Sequence, residues 1–136
     1  MAWVVDTAVL IDVFEADAAF GLRSARCLDR HRAAGLVVCP VSYVEFAPAC
    51  NGDPSVEEDF LGRLQVNWLE PWVWRDTATA HRLWHDHIRV KRGGAAVKRP
   101  IADILIASFA HRFDGLITRN AAHFRRLCPE LKIVEP

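Results

Sequence analysis

The sequence predicts an α/β protein, a three-layer α/β/α sandwich with a mainly parallel central sheet, on three observations. Short apolar runs of strand length ("AWVV", "GLVVCP", "GLIT" and "KIVEP") recur along the 136 residues, with segments of helical spacing between them. The first three runs are apolar nearly throughout, as expected for strands covered on both faces. No internal repeat, low-complexity tract or linker interrupts the series, so residues 1–136 read as a single domain, long enough to bury a sizeable core.

The elements follow in order. "AWVV" is the first strand, and "DTAVLIDVF" switches to helical spacing. Residues 17–33 form the next helix, with Gly35 as its stop signal. "GLVVCP" is the second strand and ends at Pro40. "VSYVEFAPAC" begins a helix that Pro48 must kink or end, because proline lacks the N–H and clashes with the preceding turn. A helix over residues 54–65 precedes the extended "VNWLEPW". Asp76 is expected to cap a helix over 77–91, and Pro100 to be the first residue of the helix that follows. "GLIT", the short helix "NAAHFRRL" and the terminal strand "KIVEP" complete the chain.

A composition of 51% hydrophobic and 25% charged residues is that of an ordinary globular domain. No apolar run approaches the roughly 20 residues that cross a bilayer. "MAWVVDTAVLID" carries an early acid and neither a basic leader nor a cleavage site, so a cytoplasmic protein is expected. Cys27, Cys39, Cys50 and Cys128 form no C-x-x-C pair and are read as buried reduced thiols rather than a disulfide or zinc site. The zero net charge divides unevenly: residues 1–68 hold 10 acids and 5 basic groups, whereas residues 69–136 hold 7 and 12. Such asymmetry permits a polyanionic partner. The densest basic run, "VKRGGAAVKR", is either a phosphate-contacting loop or a solvated one.

In parallel sheets the ligand site lies beyond the carboxyl ends of the strands, where strand order reverses. Polar residues gather there: Asp6 and Thr7 after the first strand, Ser42 and Glu45 after the second, and Arg119, Asn120 and His123 after the third. Each acid also has a purely structural explanation. Asp6 can cap a helix, and Glu45 completes the S-x-x-E pattern of a capping box in "SYVE". Asp103, set among apolar neighbours in "RPIADILIASFA", is favoured by the helix dipole. Together they carry a further meaning. Carboxylates brought close repel one another unless a cation neutralises them, and a set of hard oxygens suits Mg²⁺ or Mn²⁺. Such an ion serves phosphodiester hydrolysis.

Other patterns are weaker. His81 and His85 give H-x-x-x-H without the adjacent Glu of a zinc protease. The tryptophans at 68, 72, 74 and 84 suit a core or an interface better than base stacking. No Walker loop, G-x-G-x-x-G or G-x-S-x-G is present.

Taken in order, "VVDTAVLID", "VSYVEF", "IADILIASFA" and "LITRNAAHF" resemble the four motifs of PIN-domain ribonucleases, and among these the VapC-type toxins of bacterial toxin–antitoxin pairs. The resemblance spans residues 3 to 124. It implies that Asp6, Glu45 and Asp103 form an acidic triad binding Mg²⁺ or Mn²⁺. It makes Thr7 the hydroxyl that orients the first acid or a metal-bound water. In the fourth motif Asn120 stands where many members carry an acid, and His123 precedes Phe124 where Asp is frequent. The fourth carboxylate is therefore missing, although the Asn120 carbonyl can still accept. The resemblance further implies a metal-dependent endoribonuclease that leaves a 5′-phosphate and a 3′-hydroxyl, a cognate antitoxin, and a homodimer. Arg119, Lys91, Arg92, Lys98 and Arg99 are then candidates for RNA phosphates. The competing expectation is a catalytically weakened PIN-like module that binds RNA or a partner. A phosphatase or phosphoreceiver is disfavoured, because "DTA" is not D-x-D and paired acids after the first strand are absent.

Overall fold

The structure, a computed structural model, describes residues 2–91 and 100–136. Arg92, Lys98 and Arg99 lie outside the described residues, as does the side chain of Lys91. The elements run β1 (Trp3–Val5), α1 (Thr7–Phe14), α2 (Gly21–His31), β2 (Leu36–Val37), α3 (Pro40–Phe46), α4 (Pro54–Arg63), β3 (Val66–Asn67), α5 (Trp74–Lys91), α6 (Ile101–His111), β4 (Gly115–Ile117), α7 (Ala121–Leu127) and β5 (Ile133–Val134). Short 3₁₀ turns follow α2 and α3. The five strands pair in parallel throughout, in the order β3-β2-β1-β4-β5.

The chain thus builds outward from β1 to β3, then returns to the other side of β1 for β4 and β5. Strand order reverses between β1 and β4, where Trp3 registers with Gly115 and Val5 with Ile117. The alternation of side chains along a strand separates two cores. Val4 and Leu116 join Leu83 of α5, Ile106 and Phe109 of α6, and Phe124 of α7 on one face. Val5 and Ile117 join Val9 and Leu10 of α1, Leu28 of α2, Phe46 of α3 and Leu61 of α4 on the other. These layers are the expected sandwich. Trp72 and Trp84 pack against the first core and Trp68 against the second, while Trp74 is exposed.

Gly115 lets β4 approach its neighbours closely, since a Cβ there would meet the Lys132 carbonyl and lie 2.7 Å from the Trp3 ring. All four cysteines are free and buried.

Several helix starts differ from the sequence expectation. Helix α6 begins at Ile101, so Pro100 is its N-cap rather than its first residue. Residues 17–20 stay outside α2, because the Asp17 carboxylate accepts from the N–H groups of Ala19 and Phe20 and closes a local turn. Helix α3 begins at Pro40, whose fixed φ suits the first helical position. Ser42 therefore lies inside the helix, Glu45 falls in its last turn, and no capping box forms. Helix α5 begins at Trp74, so Asp76 sits within the first turn rather than ahead of it. There it reaches back to accept from the Val73 N–H at 3.0 Å.

Glu57 in the first turn of α4 is 2% exposed, and its Oε2 has no hydrogen-bond partner. Burial, helped by the charge of Glu58, pushes its carboxyl up to about 7. The folded chain therefore holds that proton more tightly than the unfolded chain does. Stability is greatest at low pH and is lost as pH rises from the unfolded value near 4.5 through 7. The loss is on the order of 3 kcal/mol. Urea unfolding at pH 5 and pH 8 is expected to show this fall in the wild type and a much flatter dependence in Glu57→Gln.

Candidate active site

Asp6 leaves β1 in extended backbone and caps α1, its Oδ1 accepting from the Thr7 N–H at 2.9 Å. Its N–H donates to the Ile117 carbonyl across the strand-order reversal. The second oxygen, Oδ2, accepts from the Thr118 hydroxyl at 2.8 Å. Capping and site membership therefore use different oxygens of one carboxylate. At 6% exposure, burial pushes the Asp6 carboxyl up to about 6. The Thr118 and Thr7 hydrogen bonds oppose the rise, and the charges of Asp103 and Glu45 add to it.

Asp103 and Glu45 are near enough for their charges to act on Asp6. Glu45 projects from the last turn of α3, exposed at the rim, and its Oε1 accepts from the Thr7 hydroxyl at 2.7 Å. Thr7 thus steers Asp6 with its backbone N–H and Glu45 with its side chain. Asp103 stands in the first turn of α6, with Oδ2 at 2.8 Å from His123 Nε2 of α7. Among the described residues no group of three or more His, Cys, Asp or Glu is spaced to hold a metal ion. Glu45 and Asp103 are more open to solvent, whereas Asp6 is buried and fixed by five hydrogen bonds through its backbone and carboxylate.

Asn120 sits at the start of α7, exposed, with no side-chain cap. Its N–H donates to the Thr118 hydroxyl oxygen at 3.0 Å. The side chain that reaches the acids from α7 is His123. Arg119 turns away toward α1: its Nε lies 2.9 Å from Asp12 Oδ2, and its guanidinium stacks 4.5 Å from the Phe20 ring centre. The Asp12 contact is an ion pair without the alignment of a hydrogen bond. Burial raises the Asp12 carboxyl, and Arg119 opposes that rise. His81 and His85 are both exposed on α5.

Thr118 is the residue that sequence reasoning passed over, although it lies inside the "LITRNAAHF" motif. It is fully buried, donates to Asp6 and accepts from Asn120. The available signal was a threonine directly after a strand at the order reversal. Thr118→Val keeps the shape but leaves both partners unmatched, at an expected cost of about 1–3 kcal/mol. Urea unfolding measures this, and Thr118→Ser is expected to recover most of the loss.

No protein-family model matches the chain, and no curated protein matches it in sequence. Solved structures do match. One is the crystal structure of VapBC2 from Rickettsia felis bound to a DNA fragment from their promoter. It superposes with a TM-score of 0.68 at 18% identity, covering 100% of this chain and 99% of that one. The two chains share a fold. The likeness to the VapBC2 chain extends end to end, so the parallel α/β/α sandwich expected from the sequence is the architecture observed.

Proposed function

We propose that the chain is a metal-dependent endoribonuclease, the toxin of a toxin–antitoxin pair, that cleaves RNA phosphodiesters with an activated water. The observation that supports this reading is buried Asp6 at the strand-order reversal, with Glu45 tied to the adjacent Thr7 and the charge of Asp103 acting on it, in a fold shared with a VapBC2 chain. Three carboxylates with no lysine or arginine paired to any of them among the described residues call for a cation. Their donor chemistry fits Mg²⁺ or Mn²⁺. Asp6, Glu45 and Asp103 would hold it. When bound, such an ion polarises a phosphoryl oxygen and lowers the pKa of water. The chain's own part is positional. Thr118 and the Thr7 N–H fix Asp6, the Thr7 hydroxyl holds Glu45, and His123 holds Asp103 at the mouth of the site. The partners under this reading are an RNA substrate, a cognate antitoxin and a second copy of the chain. No helix among the described residues is long and apolar enough to cross a membrane.

A second reading, an RNA- or partner-binding module with weakened catalysis, is favoured by Asn120 and by the engagement of Asp103 with His123. One assay separates them. Purified protein is incubated with single-stranded RNA in Mg²⁺, Mn²⁺ or chelator, and the ends of any fragments are mapped. Divalent-dependent fragments bearing 5′-phosphates support the ribonuclease. Binding without fragments in every metal supports the module.

A further inference from the structure

Beside the acids lies a cleft of about 680 Å³ walled by α5, the start of α6, and α7 with the residues just after it. Asp103 and His123 are among its lining residues, so the cleft shares a wall with the acidic site. The volume is within the range of about 300–1,000 Å³ typical of ligand sites. Its lining combines two chemistries. Leu83, Val90 and Leu127 supply apolar surface, and the His87 ring adds an aromatic wall, 6.0 Å from the Trp84 ring. Arg89 and Arg126 stand at the same cleft, both exposed and with no ion pair among the described residues. Of the other lining charges, Arg82 pairs with Glu130 at 2.6 Å, and Asp86 lies near enough to Arg82 for its charge to be felt there.

An apolar slot with planar side chains and two guanidinium groups unpaired among the described residues suits a flat base attached to phosphates. We propose that this cleft receives the nucleobase next to the scissile phosphate, with Arg89 and Arg126 on the adjoining phosphates. The inference rests on the ribonuclease reading and adds to it the place where sequence preference is set. A base seated here lies against α5 and α7, and its own phosphate is directed to Asp103 and His123. Preference then arises from the fit of the base, while the arginines supply affinity that does not depend on sequence.

The test measures binding of a 5′-fluorescein-labelled, single-stranded 12-mer RNA by anisotropy, in chelator, over a series of salt concentrations. The proteins are wild type, Arg89→Glu, Arg126→Glu, Val90→Trp and Arg63→Glu, each checked for folding by thermal melting. Arg63 is an exposed control on α4, against β3 at the far edge of the sheet. The cleft arginine variants are expected to weaken binding about tenfold or more and to flatten the salt dependence by about 0.7 for each phosphate no longer neutralised. Val90→Trp, which fills the slot, is expected to weaken binding at least tenfold with the salt slope unchanged. Arg63→Glu is expected to match wild type. Wild-type cleavage with all three cleft variants binding normally overturns this inference and leaves the ribonuclease reading intact. Loss in the arginine variants alone, with Val90→Trp unaffected, overturns the base slot in favour of backbone contact. Absence of both RNA binding and cleavage in the wild type overturns the ribonuclease reading itself.

Discussion

Asp6→Asn is expected to lower divalent-dependent RNA cleavage by about 10²–10⁴-fold while leaving the chain folded. The size follows from the loss of several kcal/mol of transition-state stabilisation when an ion loses its central anchor, at about 1.36 kcal/mol per tenfold. Asn is close in shape and keeps an oxygen to cap α1 through the Thr7 N–H. The hydroxyl of Thr118 can rotate to meet the new amide. Without a cation, Asp103 and Glu45 both repel a charged Asp6, so removing that charge is expected to leave unfolding free energy equal or higher. Activity and stability thus move in different directions. A carboxylate present only to cap the helix would leave cleavage unchanged in this variant, because Asn caps about as well as Asp. Initial cleavage rates in Mn²⁺, paired with urea unfolding in chelator, measure both quantities on one preparation.

The largest stability effect is expected far from the acids, at Arg112. Its Nε and Nη2 donate to the two oxygens of Asp76 at 2.9 and 3.0 Å. The same guanidinium reaches the Pro71 carbonyl at 3.0 Å and Glu70 at 3.3 Å. It also lies 5.1 and 4.7 Å from the ring centres of Phe109 and Phe113. Asp76 is fully buried. Arg112→Ala leaves that carboxylate without a countercharge, and removing one partner of a buried pair costs about 3–5 kcal/mol. Arg112→Lys is expected to recover little, since an ammonium cannot reproduce the planar two-point contact. Adding Asp76→Asn to Arg112→Ala is expected to recover part of the loss by removing the stranded charge. Urea midpoints for the four proteins decide the matter, and an Arg112→Ala midpoint equal to wild type would show that the cluster is not a stabilising one.

The sheet was legible because it rests on local patterns. "AWVV", "GLVVCP" and "GLIT" are short, apolar and bounded by turn residues, and each contains a strand of the structure. Gly35 and Pro48 marked helix ends correctly for the same reason. The misplaced helix starts arose where two local signals competed. In "PVSYVEF" the proline at the first helical position prevails over the S-x-x-E pattern two residues later, so Glu45 points from the end of α3. Asp76 carries a cap-like pattern, but its position is set by Arg112, 36 residues away. The candidate site was legible only in part. Asp6, Glu45 and Asp103 stood out as acids in unusual surroundings. The tie from Thr118 to Asp6 spans 112 residues, and the pairing of His123 with Asp103 joins two helices. No spacing rule in a single sequence reports contacts of that kind.

The four buried cysteines have a practical consequence. Thiol reagents attack the thiolate, and burial pushes Cys39 and Cys128 up to about 11 and raises Cys27 and Cys50 as well. The folded chain is therefore expected to react slowly with maleimides. A single cysteine placed at an exposed position such as Leu69 becomes the one handle a dye will take. Movement of RNA or a partner over the surface can then be followed optically without first stripping the protein of its own sulfur.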